Sequence, residues 1–95
     1  MIRCVTITGR VQGVGYRAWT ADEARSRGLQ GWVRNRRDGG VEAMFSGDHE
    51  AIDAMITACR HGPSMARVSD VVQRDATADE LALRRSEAFA TLPTV

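Results

Sequence analysis

Lysine is absent: all thirteen basic residues are arginine. This removes Schiff-base chemistry and the phosphate-gripping lysine of a P-loop, and a genomic composition bias is the plain reading of the arginine excess. Cysteine is scarce. Cys4 falls in an apparent first strand and Cys59 in an apolar helical stripe with Ile52, Met55 and Ile56, so both read as packing residues rather than a disulfide framework. With five aromatics and no aromatic-rich strand, the chain has little with which to stack nucleobases. It also lacks an apolar run long enough to cross a membrane, and the opening MIRCVTITGR has neither the apolar stretch nor the cleavage site of a signal peptide. A cytoplasmic protein is expected.

What is present is ordinary globular composition, 43% hydrophobic and 26% charged, and 95 residues suffice for one domain (1–95) with one core. The net charge of +1 hides an asymmetry: residues 1–40 carry eight Arg against three acids, residues 41–95 five Arg against nine. The first half is the anion-attracting half.

Residues 2–8 are rich in β-branched side chains and alternate imperfectly, placing Val5 and Ile7 on one face and Cys4 and Thr6 on the other, as in a strand. The glycine-rich GRVQGVG follows, then a helix from Tyr16 to Arg27 that Gly28 ends. Residues 31–37 and 41–45 read as strands joined antiparallel through the turn Asp38-Gly39-Gly40. A second helix, 48–61, shows the i, i+3, i+4, i+7 stripe of Ile52, Met55, Ile56 and Cys59, with Ser46 or Asp48 as its cap and Gly62-Pro63 as its stop. Residues 66–74 form a fourth strand, with a bulge expected where alternation breaks at Val71-Val72. The tail, 75–95, is the least regular part; it holds a helical turn opened by Thr77 and a short final strand at 88–92.

The order β-α-β-β-α-β predicts an α+β, ferredoxin-like sandwich: an antiparallel sheet with two helices on one face. In that topology the first and second strands run in the same direction, so residues 9–16, the start of the first helix, Asn35 and the Asp38-Gly39 turn gather at one end of the sheet. Asn35 shares parity with Val33 and should face the helices.

A glycine-rich turn opening a helix aims several backbone N–H groups at one point, where the helix dipole adds partial positive charge. Arg17, in the first turn, offers a guanidinium that can fork onto phosphate oxygens, and Asn35 an amide able to orient a water. The cluster has no Cys, His or Ser nucleophile. Its only acid, Asp38, precedes Gly39 and reads as a turn residue rather than a metal ligand. Positioning without base, nucleophile or metal suits a phosphate with a good leaving group, as in acyl phosphates.

Three segments, GRVQGVGYR (9–17), GLQGWVRNRRDGGVE (28–42) and GPSMARV (62–68), resemble the acylphosphatase family in order and spacing, along most of the chain. The resemblance implies the βαββαβ fold, hydrolysis of acyl phosphates to a carboxylate and inorganic phosphate, and no cofactor or metal. It implies a phosphate cradle built from the amides of Val11, Gln12, Gly13, Val14, Gly15 and Tyr16. Matched residue by residue, the family's catalytic arginine falls on Arg17 and its water-binding asparagine on Asn35, while the substrate phosphate accepts the water's proton. The expected partners are a small-molecule acyl phosphate and inorganic phosphate as product and inhibitor; no nucleic acid or membrane is expected, and the chain should be a monomer. Tyr16 stands where the family commonly has Phe, and Gly15 leaves the loop more flexible than a bulkier residue would.

Other readings compete. Gly13-Val14-Gly15-Tyr16-Arg17-Ala18 fits the dinucleotide fingerprint G-x-G-x-x-A, but the Gly39-Gly40 hairpin opposes the parallel sheet that fingerprint requires. A phosphate- or carbamoyl-phosphate-binding module without turnover, like the domain fused to hydrogenase-maturation proteins, is a second alternative. An RNA-binding ferredoxin-like domain is a third. Trp19 and Trp32 read as packing, and Arg34, Arg36 and Arg37 as guards of an edge strand.

Overall fold

Alternation in the first strand decides what each of its side chains meets in the computed structural model, which describes residues 1–95. In β1 (Ile2–Arg10), Val5 and Ile7 are fully buried under two helices, while Cys4 packs on the opposite face with Trp32, Met44 and Ala90. The first helix, α1 (Tyr16–Ser26), buries Tyr16, Thr20, Ala21 and Ala24 as one stripe. Its partner α2 (His49–Cys59) buries the expected Ile52, Met55, Ile56 and Cys59. The expected side-chain cap of α2 is missing: Ser46 closes a strand, and Asp48 holds the N-cap position without a side-chain hydrogen bond. That helix start is exposed, so solvent can serve its free amides.

The strands β2 (Gln30–Asn35) and β3 (Val41–Ser46) pair antiparallel, with Asn35 opposite Val41. Their turn is held by the Asp38 carboxylate, which accepts from the Gly40 amide at 3.0 Å and from Arg36 at 3.0 Å. Both interactions, the Gly40 bond foremost, lower the pKa of Asp38. Asp38 is thus a turn residue, as its place before Gly39 suggested.

The sheet order is β4-β1-β3-β2-β5, where β4 is Arg67–Asp75 and β5 is Phe89–Thr91. The first four strands pair antiparallel among themselves, and both long helices cover one face, as expected. The sheet is nonetheless mixed, because β5 runs parallel to β2. The cause is the path of the chain. β4 ends at the same end of the sheet where β2 begins, and residues 76–88 cross laterally between them, so the strand that follows must run with β2. That crossing contains α3 (Ala78–Leu81), opened by a Thr77–Glu80 capping box, and a short 3₁₀ turn (Ala82–Arg84). It roofs the face opposite the long helices: the Trp32 indole N–H donates to the Glu80 carbonyl at 3.0 Å, and Trp32 is only 1% exposed. A tryptophan so enclosed cannot stack a nucleobase.

Two further expectations are corrected. The irregularity in β4 lies at Ser69, between Val68 and Asp70 opposite Gly9 and Thr8, rather than at Val71-Val72. There, Val71 is buried and Val72 exposed, which is ordinary alternation. The arginines of residues 34–37 do not guard an edge, since β5 places β2 inside the sheet. Instead Arg34 lies over the Trp32 ring, 4.6 Å from its centroid, and binds Glu42 at 2.8 Å, while the Arg37 amide donates to Val95. The dinucleotide reading falls with the same topology, because an antiparallel hairpin follows β2.

Cys4 and Cys59 are both free and buried. Burial pushes their thiols up to about 11 and about 12. No helix is long and apolar enough to cross a membrane.

Candidate active site

β1 and β2 are parallel to each other, with β3 between them, so the turn leaving β1 and the last residue of β2 reach the same end of the sheet. There a cleft of about 340 Å³ is lined by Val11, Gln12, Gly13, Gly15, Tyr16, Arg17, Ala18, Asn35 and Thr91. Of the eight residues expected to hold phosphate or water, 11–17 and Asn35, all but one line it, whereas the Asp38-Gly39 turn does not. The exception, Val14, packs its side chain against the core.

The loop is held at three points and open between them. Val11 is 1% exposed and anchors the entry in the core. Tyr16 anchors the exit: its hydroxyl donates to the Cys59 carbonyl at the end of α2 at 2.6 Å, and its ring lies 5.3 Å from that of Trp19. Burial raises the pKa of this phenol, so it stays protonated and keeps donating. In the middle, the Gln12 side-chain amide donates to the Arg36 carbonyl at 2.7 Å and the Gly40 carbonyl at 2.8 Å. This stitches the loop to the hairpin that follows Asn35.

Between these anchors the backbone amides are uncommitted. After β1, the first amide to reach a protein acceptor is that of Trp19, on the Gly15 carbonyl at 3.0 Å. Gly15 caps α1 in the left-handed region, at φ +80°, which turns the chain so that the amides before it join the free amides of the first helical turn. A row of unpaired N–H groups at a helix N-terminus is an anion site by geometry and by dipole.

Arg17 projects from that first turn and is exposed. Unlike Arg34, Arg36 and Arg74, each of which binds an acid, its guanidinium has no partner within the protein. Asn35 stands on the helix-facing side of β2, as its parity with Val33 required. Its Oδ1 is buried and has no hydrogen-bond partner. An unsatisfied buried acceptor costs about 1–3 kcal/mol, unless a group in the cleft donates to it.

The sequence did not point to Thr91. Its place in the cleft depends on β5 joining β2, and the only local signal was its parity with Phe89 in a three-residue strand. No group of three or more His, Cys, Asp or Glu side chains stands together anywhere in the fold.

Comparison with known proteins points to one family. The acylphosphatase family model matches residues 3–87. A protein of Bradyrhizobium diazoefficiens named Acylphosphatase is 58% identical over 92 residues, covering 96% of this chain and 93% of that protein. One from Rhodopseudomonas palustris with the same name is 53% identical over 96 residues, covering 100% and 97%. Among solved structures, acylphosphatase from Bacillus subtilis superposes with a TM-score of 0.84 at 32% identity, covering 97% of this chain and 99% of that one. Family model, relatives and solved structure thus each cover most of the sequence, and the chain belongs to the acylphosphatase family.

Proposed function

We propose that this protein hydrolyses acyl phosphates, with the amides of residues 11–16 and the Arg17 guanidinium holding the phosphoryl group and Asn35 holding the attacking water. One observation carries the reading: unpaired loop amides, an uncommitted arginine and a buried, unpartnered carboxamide oxygen line a single cleft.

The chemistry follows from what each group offers. The amides and Arg17 surround the phosphoryl oxygens with donors and positive charge, which stabilises charge developing on them. Asn35 Oδ1 accepts one hydrogen of a water and fixes its direction. The water oxygen bonds to phosphorus while the bond from phosphorus to the carboxylate oxygen breaks. The water's second proton passes to a phosphoryl oxygen, and the carboxylate leaves as the anion without needing an acid. The products are a carboxylate and inorganic phosphate, and the phosphate, left in the same cradle, acts as a competitive inhibitor.

This chemistry requires neither a metal nor an organic cofactor. All the groups it uses come from one chain, which fits a monomer, and the two unpaired thiols fit a cytoplasmic setting. Nucleic acid has no place in it.

The test is hydrolysis of benzoyl phosphate in the presence of a chelator. Wild type should turn over, Arg17→Ala should lose nearly all activity, and Asn35→Ala should lose most of its kcat. A wild type that binds phosphate without turnover would instead be a phosphate-binding module.

A further inference from the structure

Thr91 is the one cleft residue supplied by the C-terminal segment. We propose that its hydroxyl is the second ligand of the attacking water, shared with Asn35; this rests on the role given to Asn35 under Proposed function.

Register places the two residues. Thr91 lies beside Val33 in the parallel β2–β5 pair, and Asn35 is two residues beyond Val33 on the same face. With strands about 4.8 Å apart and a rise of about 3.3 Å per residue, their Cα atoms are diagonal neighbours roughly 8 Å apart. That is too far for the two short side chains to bond directly, and Asn35 Oδ1 indeed has no protein partner. The gap suits one bridging water.

The backbones are fixed relative to each other on both sides of that gap. The Leu92 amide donates to the Val33 carbonyl at 2.9 Å, and the Val95 amide to the Asn35 carbonyl at 3.1 Å. The other polar side chains of the cleft are accounted for: the Gln12 amide is bound to Arg36 and Gly40, and Arg17 is the group assigned above to the phosphate. Thr91 is exposed to the cleft with its hydroxyl unbonded.

A water held by one acceptor can swing about that bond. With Asn35 Oδ1 accepting one hydrogen and the Thr91 hydroxyl donating to one lone pair, the second lone pair is left for phosphorus. The second hydrogen is left for the phosphoryl oxygen. Thr91 thus touches the nucleophile and acts on turnover, not on phosphate affinity.

The experiment compares Thr91→Val, Thr91→Ser, Asn35→Ala and the double variant Thr91→Val/Asn35→Ala on benzoyl phosphate. Because Thr91 is exposed and its side chain is unbonded, valine leaves the fold intact. Thr91→Val should lower kcat about fivefold to tenfold, with KM and inhibition by inorganic phosphate unchanged, and serine should restore most of the rate. Adding valine to Asn35→Ala should cost little more, since the water is already loose. Wild-type kcat in Thr91→Val, an effect on KM alone, or a fully multiplicative loss in the double variant would overturn the proposal. Normal turnover by Asn35→Ala would instead remove the water assignment beneath it.

Discussion

The side chain of Gln12, in the loop after the first strand, donates at 2.8 Å to the backbone carbonyl of Gly40, in the hairpin beyond the second. With its partner bond to Arg36, this contact joins the glycine-rich loop lining the cleft to the strand end that carries Asn35. Gln12→Ala removes one of the two donors to each carbonyl, leaving the Gly39 amide on Arg36 and the Arg36 amide on Gly40. Stability should fall by about 1–2 kcal/mol in urea titrations. The cradle should also loosen, raising KM for benzoyl phosphate severalfold more than it lowers kcat. Unchanged KM would mean that the loop holds its shape without the stitch.

Two glycines that look equivalent in sequence should respond very differently to alanine. At Gly31, φ is +148° and a Cβ would run into the Met44 carbonyl of the neighbouring strand, so Gly31→Ala should cost more than about 3 kcal/mol or prevent folding. At Gly15, φ is +80° but a Cβ meets nothing within 4 Å, so Gly15→Ala bears only the backbone cost, about 1 kcal/mol. Urea unfolding of both variants checks the ranking. A Gly15 variant as damaged as the Gly31 one would contradict it.

Acid should loosen the roof over Trp32 before the rest of the fold. The Glu80 carboxylate, bound by Arg74 at 2.7 Å and by the Thr77 amide at 3.1 Å, is pushed down to about 2 from 4.5, with Arg74 the main cause. A depressed carboxylate pKa means stability that is fully present above about pH 4.5 and lost as pH falls toward about 2. Hydrogen exchange at the Trp32 indole N–H, which donates to the Glu80 carbonyl, should accelerate across that window in wild type. In Glu80→Gln it should already be faster at pH 7 and vary less with acid. Identical pH profiles in the two proteins would contradict this.

The contrast between Asn35 and Thr91 shows what the sequence could carry. Asn35 was legible because a hairpin signal fixes β2 and β3 as antiparallel, a βαβ crossover fixes β1 and β2 as parallel, and residue parity does the rest. The helix stripes and the Thr77 cap were legible for the same local reasons. Thr91 was not, because β5 is three residues long and its partner is set by how residues 76–88 cross the opposite face. Nor was the Gln12 stitch, whose acceptors are backbone carbonyls that no side-chain pattern encodes. The misplaced bulge belongs to this group: a break in alternation at Val71-Val72 looks the same in sequence whether the extra residue lies there or at Ser69. Arg34 and Arg36 were misread for want of that same fifth strand.

The proposed site separates a phosphate cradle with Arg17 from a water held by Asn35, and the kinetics of Asn35→Ala distinguish the two. Measured on benzoyl phosphate alongside inhibition by inorganic phosphate, the variant should lose kcat by about a hundredfold while phosphate inhibits it as strongly as wild type. Wild-type turnover, or a loss of phosphate inhibition matching the loss of kcat, would rule out that separation.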